Sequence, residues 1–157
     1  MDIRPVREGE ADRLRSLRLQ ALDDAPHAYF WPREAEEAVD WTPWTTSADR
    51  VMFVVEDDDV WLGMAGCSLR GDGSGVLDAT GMWVSPSARG QSLGERLIDA
   101  IVKWGRERGA TVMEFAVTDD NTAAIALYTR LGFTPTGRRR NLVSDPSRTG
   151  IFMAKGI

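Results

Sequence analysis

The stretch Met82-Trp83-Val84-Ser85-Pro86-Ser87-Ala88-Arg89-Gly90-Gln91-Ser92-Leu93-Gly94 decides how the rest of the chain is read. It begins as a strand, breaks at Ser-Pro and reopens as a helix whose apolar stripe runs through Leu93, Leu97, Ile98, Ile101 and Val102. The first N–H groups of such a helix have no partner within it and lie at the positive end of its dipole, where an anion can take them up. Gly90, Ser92 and Gly94 are small enough to let that anion approach the backbone. The turn reads as a cradle for a pyrophosphate.

Further along, Asn121-Thr122-Ala123-Ala124-Ile125-Ala126-Leu127-Tyr128-Thr129-Arg130-Leu131-Gly132-Phe133 forms a second block, a helix with Asn at its start and Tyr128 two turns on along the same face. A glycine-rich turn alone occurs in nucleotide-binding folds and in ordinary loops. The two blocks in this order and at this spacing resemble the GNAT acyltransferase superfamily, whose members move an acyl group from coenzyme A to an amine. The family's first block, Arg/Gln-x-x-Gly-x-Gly/Ala, is matched at Arg89 and Gly94, with Ser92 standing where a glycine is usual. Its second, Asn-x-x-Ala-x-x-Leu-Tyr-x-x-x-Gly-Phe, is matched at Asn121, Ala124, Leu127, Tyr128, Gly132 and Phe133.

That resemblance spans Val51 to Ala154 and implies acetyl-CoA, or a related short acyl-CoA, as the donor. The residues it implies for the cofactor are Met82, Trp83 and Val84 on the strand, Arg89, Gly90, Gln91, Ser92, Leu93, Gly94 and Glu95 in the loop and helix start, and Asn121 and Tyr128 on the second helix. At negative φ, Ser92 would keep its N–H and cap the helix; otherwise it would mark weakened binding. Arg89 suits either a phosphate oxygen or a brace for the loop.

Acyl transfer from a thioester to an amine needs a neutral nucleophile, a stabilised oxyanion and a protonated leaving thiolate. An alkylamine with a pKa of ~10.4 is almost all ammonium at neutral pH, so its proton needs an acceptor. Asp78, on the strand entering the first block, is the candidate base, and strict alternation puts Asp78, Thr80, Met82 and Val84 on one face. The competing reading is a surface aspartate that merely follows a glycine-rich turn. Backbone N–H groups from Met82 to Val84 are the expected oxyanion donors, worth ~3 kcal/mol when preorganised. Tyr128 is the candidate acid for the thiolate, against the alternative of a core aromatic on an amphipathic helix.

The chain has 157 residues, the size of one domain, and residues 1–157 are expected to form a single acyltransferase domain. Its net charge of −5 is uneven: residues 1–60 hold 15 acidic and 7 basic side chains, whereas residues 61–157 hold 9 and 12. The polyanion cradle therefore lies in the basic part. An acidic chain argues against nucleic acid as a partner. No apolar run approaches the ~20 residues of a membrane span, and the start, Met1-Asp2-Ile3-Arg4-Pro5, lacks a secretory apolar stretch. With Cys67 as the only cysteine, a reducing cytoplasmic setting is expected. His27 is the only histidine, so no metal is expected.

The remaining segments read as a short edge strand at Ile3–Val6, a helix from Glu8 to Leu22, a short helix around Arg33–Val39, and a strand at Val51–Val55. Strands follow at Val60–Leu69, Val76–Val84 and Thr111–Val117, and a final hairpin joins Phe133–Val143 to Thr149–Ala154. This order implies an α/β fold of mixed α+β type, with a central twisted, largely antiparallel mixed sheet of about six to seven strands and helices on both faces.

The expected reaction is direct attack by the primary amine of a small molecule on acyl-CoA, catalysed by a monomer or homodimer. Tyr29, Phe30, Trp31 and Glu34 are the expected acceptor residues, aromatic faces and a carboxylate suited to a cationic or ring-bearing amine. A protein or peptide amine, or a non-catalytic acyl-CoA-binding module, are the alternatives.

Overall fold

A computed structural model describes all 157 residues. The seven strands form one sheet in the order β1-β2-β3-β4-β5-β7-β6. They are β1 (Asp2–Pro5), β2 (Arg50–Asp57), β3 (Val60–Leu69), β4 (Val76–Val84), β5 (Val112–Thr118), β6 (Thr134–Asn141) and β7 (Thr149–Gly156). Every neighbouring pair is antiparallel except β4 and β5. The expected mixed, largely antiparallel sheet is present.

Helices cover both faces. On one lie α1 (Ala11–Asp24), α2 (Arg33–Glu37) and α3 (Pro43–Thr46), and Leu14, Leu17, Ala21 and Leu22 of α1 pack with Met52, Val54, Met64 and Trp83 of the sheet. On the other, α4 (Leu93–Arg106) and α5 (Thr122–Arg130) bury Leu97, Ile98, Ile101 and Tyr128 against Phe53, Ala65, Leu77, Met113, Phe115 and Val117. Alternate residues of β2 divide cleanly between the two cores, as a period of two requires. The first helix starts later than Glu8 because the Glu10 carboxylate accepts from the Arg7 N–H at 2.8 Å and from Arg4. That turn holds the chain short of the helix. The four-residue α3 was not expected from the sequence.

Two features of the sheet position the site. β4 and β5 pair only over Val76–Asp78 with Val112–Glu114, and beyond this seam the strands part. β4 then has a partner only on its β3 side, and β5 only on its β7 side. The second feature is a bulge in β4: Thr80 opposes Gly66 and Trp83 opposes Met64, leaving Gly81 and Met82 opposite Ala65 alone. Gly81 has φ +68°, a conformation glycine adopts without strain.

Candidate active site

The notch between the parted strands opens into a cavity of about 440 Å3. Ala79 to Val84 form one wall, Phe115 to Val117 the other, and Asn121, Ala124, Leu127 and Tyr128 of α5 close one side. Met82, Trp83, Val84, Arg89, Asn121 and Tyr128, all expected cofactor residues, are thus brought to one space. Gly90 to Glu95 are not part of its lining and continue the wall past Arg89 into α4.

In that loop and first helical turn, the backbone N–H groups of Gly90, Gln91, Ser92, Leu93, Gly94 and Glu95 find no acceptor in the protein; the first amide bonded in the helix is Arg96, to Ser92 O at 3.1 Å. Gly90 has φ +78° and Ser92 φ +58°. Left-handed residues at alternate positions turn successive N–H groups to one side, which makes an anion nest. Ser92 therefore does not hold the negative φ of a capping residue, and its side chain makes no cap hydrogen bond. What it retains is the free N–H. Arg89 braces the loop: its Nε donates to Val84 O at 3.0 Å and its guanidinium pairs with Asp24 at the end of α1. Asp24 also accepts from Trp83 Nε1 at 3.0 Å, and these two bonds hold its carboxyl below the ordinary range. Glu95 accepts from Arg130 at 2.7 Å and links α4 to α5.

The bulge at Gly81 changes the face reading of β4. Leu77 and Ala79 pack on the α4/α5 side, and after the bulge so do Met82 and Val84, while Trp83 joins the α1 side. Asp78 and Met82 are consequently on opposite faces. Asp78 sits in the paired seam, opposite Glu114, and accepts two hydrogen bonds from Arg70, at 2.8 and 2.7 Å. Arg70 and Arg138 also reach Glu114, at 3.4 and 2.8 Å. Asp78 does not line the cavity, and the structure does not bring it to the other candidates. The alternation that placed it there is interrupted by the extra residue.

Tyr128 is buried, its ring packed on Phe115 at 4.0 Å between centroids and on Phe133 at 6.0 Å. Burial pushes its phenol up to about 12. Its hydroxyl has no partner in the protein and is not among the fully buried unpartnered atoms, and the residue borders the cavity. Asn121 caps α5, its Oδ1 accepting from Ala124 N at 3.2 Å, which leaves its amide NH2 uncommitted.

Tyr29, Phe30 and Trp31 also line the cavity. They are fastened over the sheet: Ser144 donates its N–H to Phe30 O at 2.9 Å and its hydroxyl to Tyr29 O at 3.0 Å, and the Phe30 ring rests on Gly150 of β7. Glu34 does not take part. It lies on the exposed side of α2, and the carboxylate facing the cavity is Glu36, two positions on and 5% exposed. Glu36 is held by Arg18 through Nε at 3.0 Å and Nη2 at 3.1 Å, and that guanidinium lies 4.4 Å from the Tyr29 ring centroid. Arg18 and Glu36 are cavity residues the sequence reading missed, and Arg140 of β6 joins them in the lining. The one available signal was Arg18 on the apolar face of α1, between Leu14, Leu17 and Leu22.

Residues 16–133 match the family model described as "Acetyltransferase (GNAT) family". The chain belongs to this family. It is an acyl-CoA-dependent N-acetyltransferase. GNAT relatives include the aminoglycoside N(6')-acetyltransferase type 1 of Salmonella typhimurium, 29% identical over 146 residues, 88% of this chain and 94% of the relative. The putative ribosomal protein bS18-alanine N-acetyltransferase of Bacillus subtilis is 28% identical over 147 residues, 88% and 93% of the two chains. Among solved folds, a putative acetyltransferase from Salmonella typhimurium with its cofactor acetyl-CoA superposes with a TM-score of 0.76 at 22% identity, covering 99% of this chain and 93% of that one.

Proposed function

We propose that the protein transfers an acetyl group from acetyl-CoA to the primary amine of a small molecule in the cytoplasm, by direct attack of the amine. The observation that carries the reading is the notch: a strand edge left unpaired, a run of six free amides beside it and a tyrosine facing the same space. Acetyl-CoA supplies an activated thioester.

The Gly90–Glu95 amides would hold the pyrophosphate, with the α4 dipole adding to their attraction. The free edge of β4, from Ala79 to Val84, and the Asn121 amide would hold the pantetheine arm. Backbone N–H groups in Met82–Val84 would stabilise the oxyanion without a dedicated side chain. Tyr128, kept protonated by burial, acts on the departing sulfur. With its phenol near 12 and a thiol near ~8.5, donation of a hydrogen bond to the thiolate is easier than full proton transfer. Neither carboxylate near the notch is free, since Arg70 holds Asp78 and Arg18 holds Glu36. The amine therefore loses its proton to water.

A cavity walled on one side by the Tyr29–Trp31 segment suits a small acceptor, whereas a protein chain needs an open groove. The test is calorimetric binding of CoA together with thiol release across a library of amines. Gly94→Val is the control, because a Cβ at Gly94 meets only Leu127 Cδ2, at 3.8 Å. The fold has room for the added Cβ, while the branched side chain crowds the cradle. CoA affinity should fall in that variant, and absence of CoA binding to the unmodified protein would end the proposal.

A further inference from the structure

Four charged side chains line the cavity, and only one is a carboxylate: Arg18, Arg89 and Arg140 stand with Glu36. Glu36 is spent on Arg18 in a two-point contact, and Arg89 is neutralised by Asp24. Arg140 has no carboxylate partner, although its neighbours in β6 do, Arg138 with Glu114 and Arg139 with Asp119. It lies over the Trp31 ring, 5.5 Å from the centroid, at the mouth of the cavity. Deeper in, Arg18 is 8% exposed and commits Nε and Nη2 to Glu36, so Nη1 has no acceptor in the protein. Nη1 lies beside the β4 bulge, 3.1 Å from where a Cβ on Gly81 would stand.

A polycationic acceptor would find no free carboxylate in this space and an uncompensated guanidinium at its entrance. Like charges there raise the cost of binding and slow the encounter. Arg18 Nη1, with no acceptor in the protein and not among its fully buried atoms, is open to the cavity and can donate to a bound oxygen. We infer that the acceptor is a primary amine that also carries a carboxylate, taken by Arg140 against Trp31, with Arg18 Nη1 donating to an oxygen of the same molecule. This rests on the acetyltransferase reading and narrows its substrate class. It also replaces the expectation of a cationic acceptor, because the cavity carboxylate, Glu36, is paired with Arg18.

Thiol release from acetyl-CoA is measured with the full chain for a set of α-amino acids, their amides and the corresponding decarboxylated amines, with kcat/KM corrected for the fraction of neutral amine. The carboxylate-bearing members should exceed their own amides by about tenfold or more, the scale of a charge-assisted contact. Arg140→Gln should raise KM for these acceptors by about tenfold, leave kcat within about twofold and abolish the preference over the amides, and Arg140→Lys should restore part of it. Equal or better rates with the amides or decarboxylated amines would overturn the assignment, as would an Arg140→Gln penalty shared by all amines. Calorimetry with CoA separates the two levels. If CoA does not bind, the donor reading fails; if it binds and no carboxylate-bearing amine is turned over, the acceptor class alone is wrong.

Discussion

Ser92 is the position where a small change should separate backbone strain from capping. Its φ of +58° and ψ of 24° place an L-residue in the left-handed region, at a cost of roughly 1–2 kcal/mol. Replacing it with glycine removes that strain and adds about 0.4–1 kcal/mol of unfolded-chain entropy to be lost on folding. No cap hydrogen bond is forfeited, because the Ser92 side chain makes none. The net is a stabilisation of about 0.5–1 kcal/mol, equivalent to a Tm increase of about 1–4 °C for a chain of this length. Ser92→Ala keeps the strain and loses no contact, so it should lie within about 0.5 kcal/mol of the parent. Urea unfolding followed by tryptophan fluorescence gives both differences, and calorimetry should show CoA affinity retained in each. If alanine costs ~1 kcal/mol while glycine gains nothing, Ser92 is a capping residue in solution and the strain argument is refuted.

Tyr128→Phe should reduce kcat by about 10–1000-fold with little change in the KM for acetyl-CoA, because the ring still packs on Phe115 and only the hydroxyl is lost; an unchanged kcat in a chemistry-limited assay would remove it from the mechanism. The same burial makes stability depend on pH. With the phenol near 12 when folded and 10.0 as its ordinary value, its contribution is complete below pH 10 and is lost between pH 10 and 12, about 2–3 kcal/mol in all. Alkaline titration at 295 nm should therefore show tyrosinate appearing late and together with unfolding. Asp78→Asn should leave the pH profile of the rate unchanged while lowering Tm, since its carboxylate serves Arg70 at the seam; a rate loss confined to low pH would restore it as a base. Gly150→Ala drives a methyl into the Phe30 ring, so the ring must move, and the acceptor KM should change while that for acetyl-CoA does not.

The second half of the chain was legible because its signals are local. The stripe on α4 and the Asn121 cap are each set by a few consecutive residues, and both fall where the sequence puts them. The acceptor side was not legible, because it depends on contacts between distant positions. Glu34 and Glu36 are indistinguishable by composition, and only the packing of α2 against α1 turns Glu36 inward to Arg18, 18 residues earlier. Asp78 was misplaced for a different reason. One extra residue at the Gly81 bulge reverses the alternation downstream, and a lone glycine in a strand announces a bulge too weakly to fix its register.

The two outer strands of the sheet are poor templates for another sheet. β1 is four residues long and ends in Pro5. β6 is exposed along its whole length, breaks register between Pro135 and Arg139, and carries three consecutive arginines. Short length, proline and clustered charge all discourage edge-to-edge association and the fibres it leads to. The strand edges that do lack partners, on β4 past Asp78 and on β5 past Glu114, face each other in the middle of the molecule. Growth by strand addition is thereby closed to a second polypeptide sheet and left open to a single extended molecule slim enough to pass between the two layers of helices.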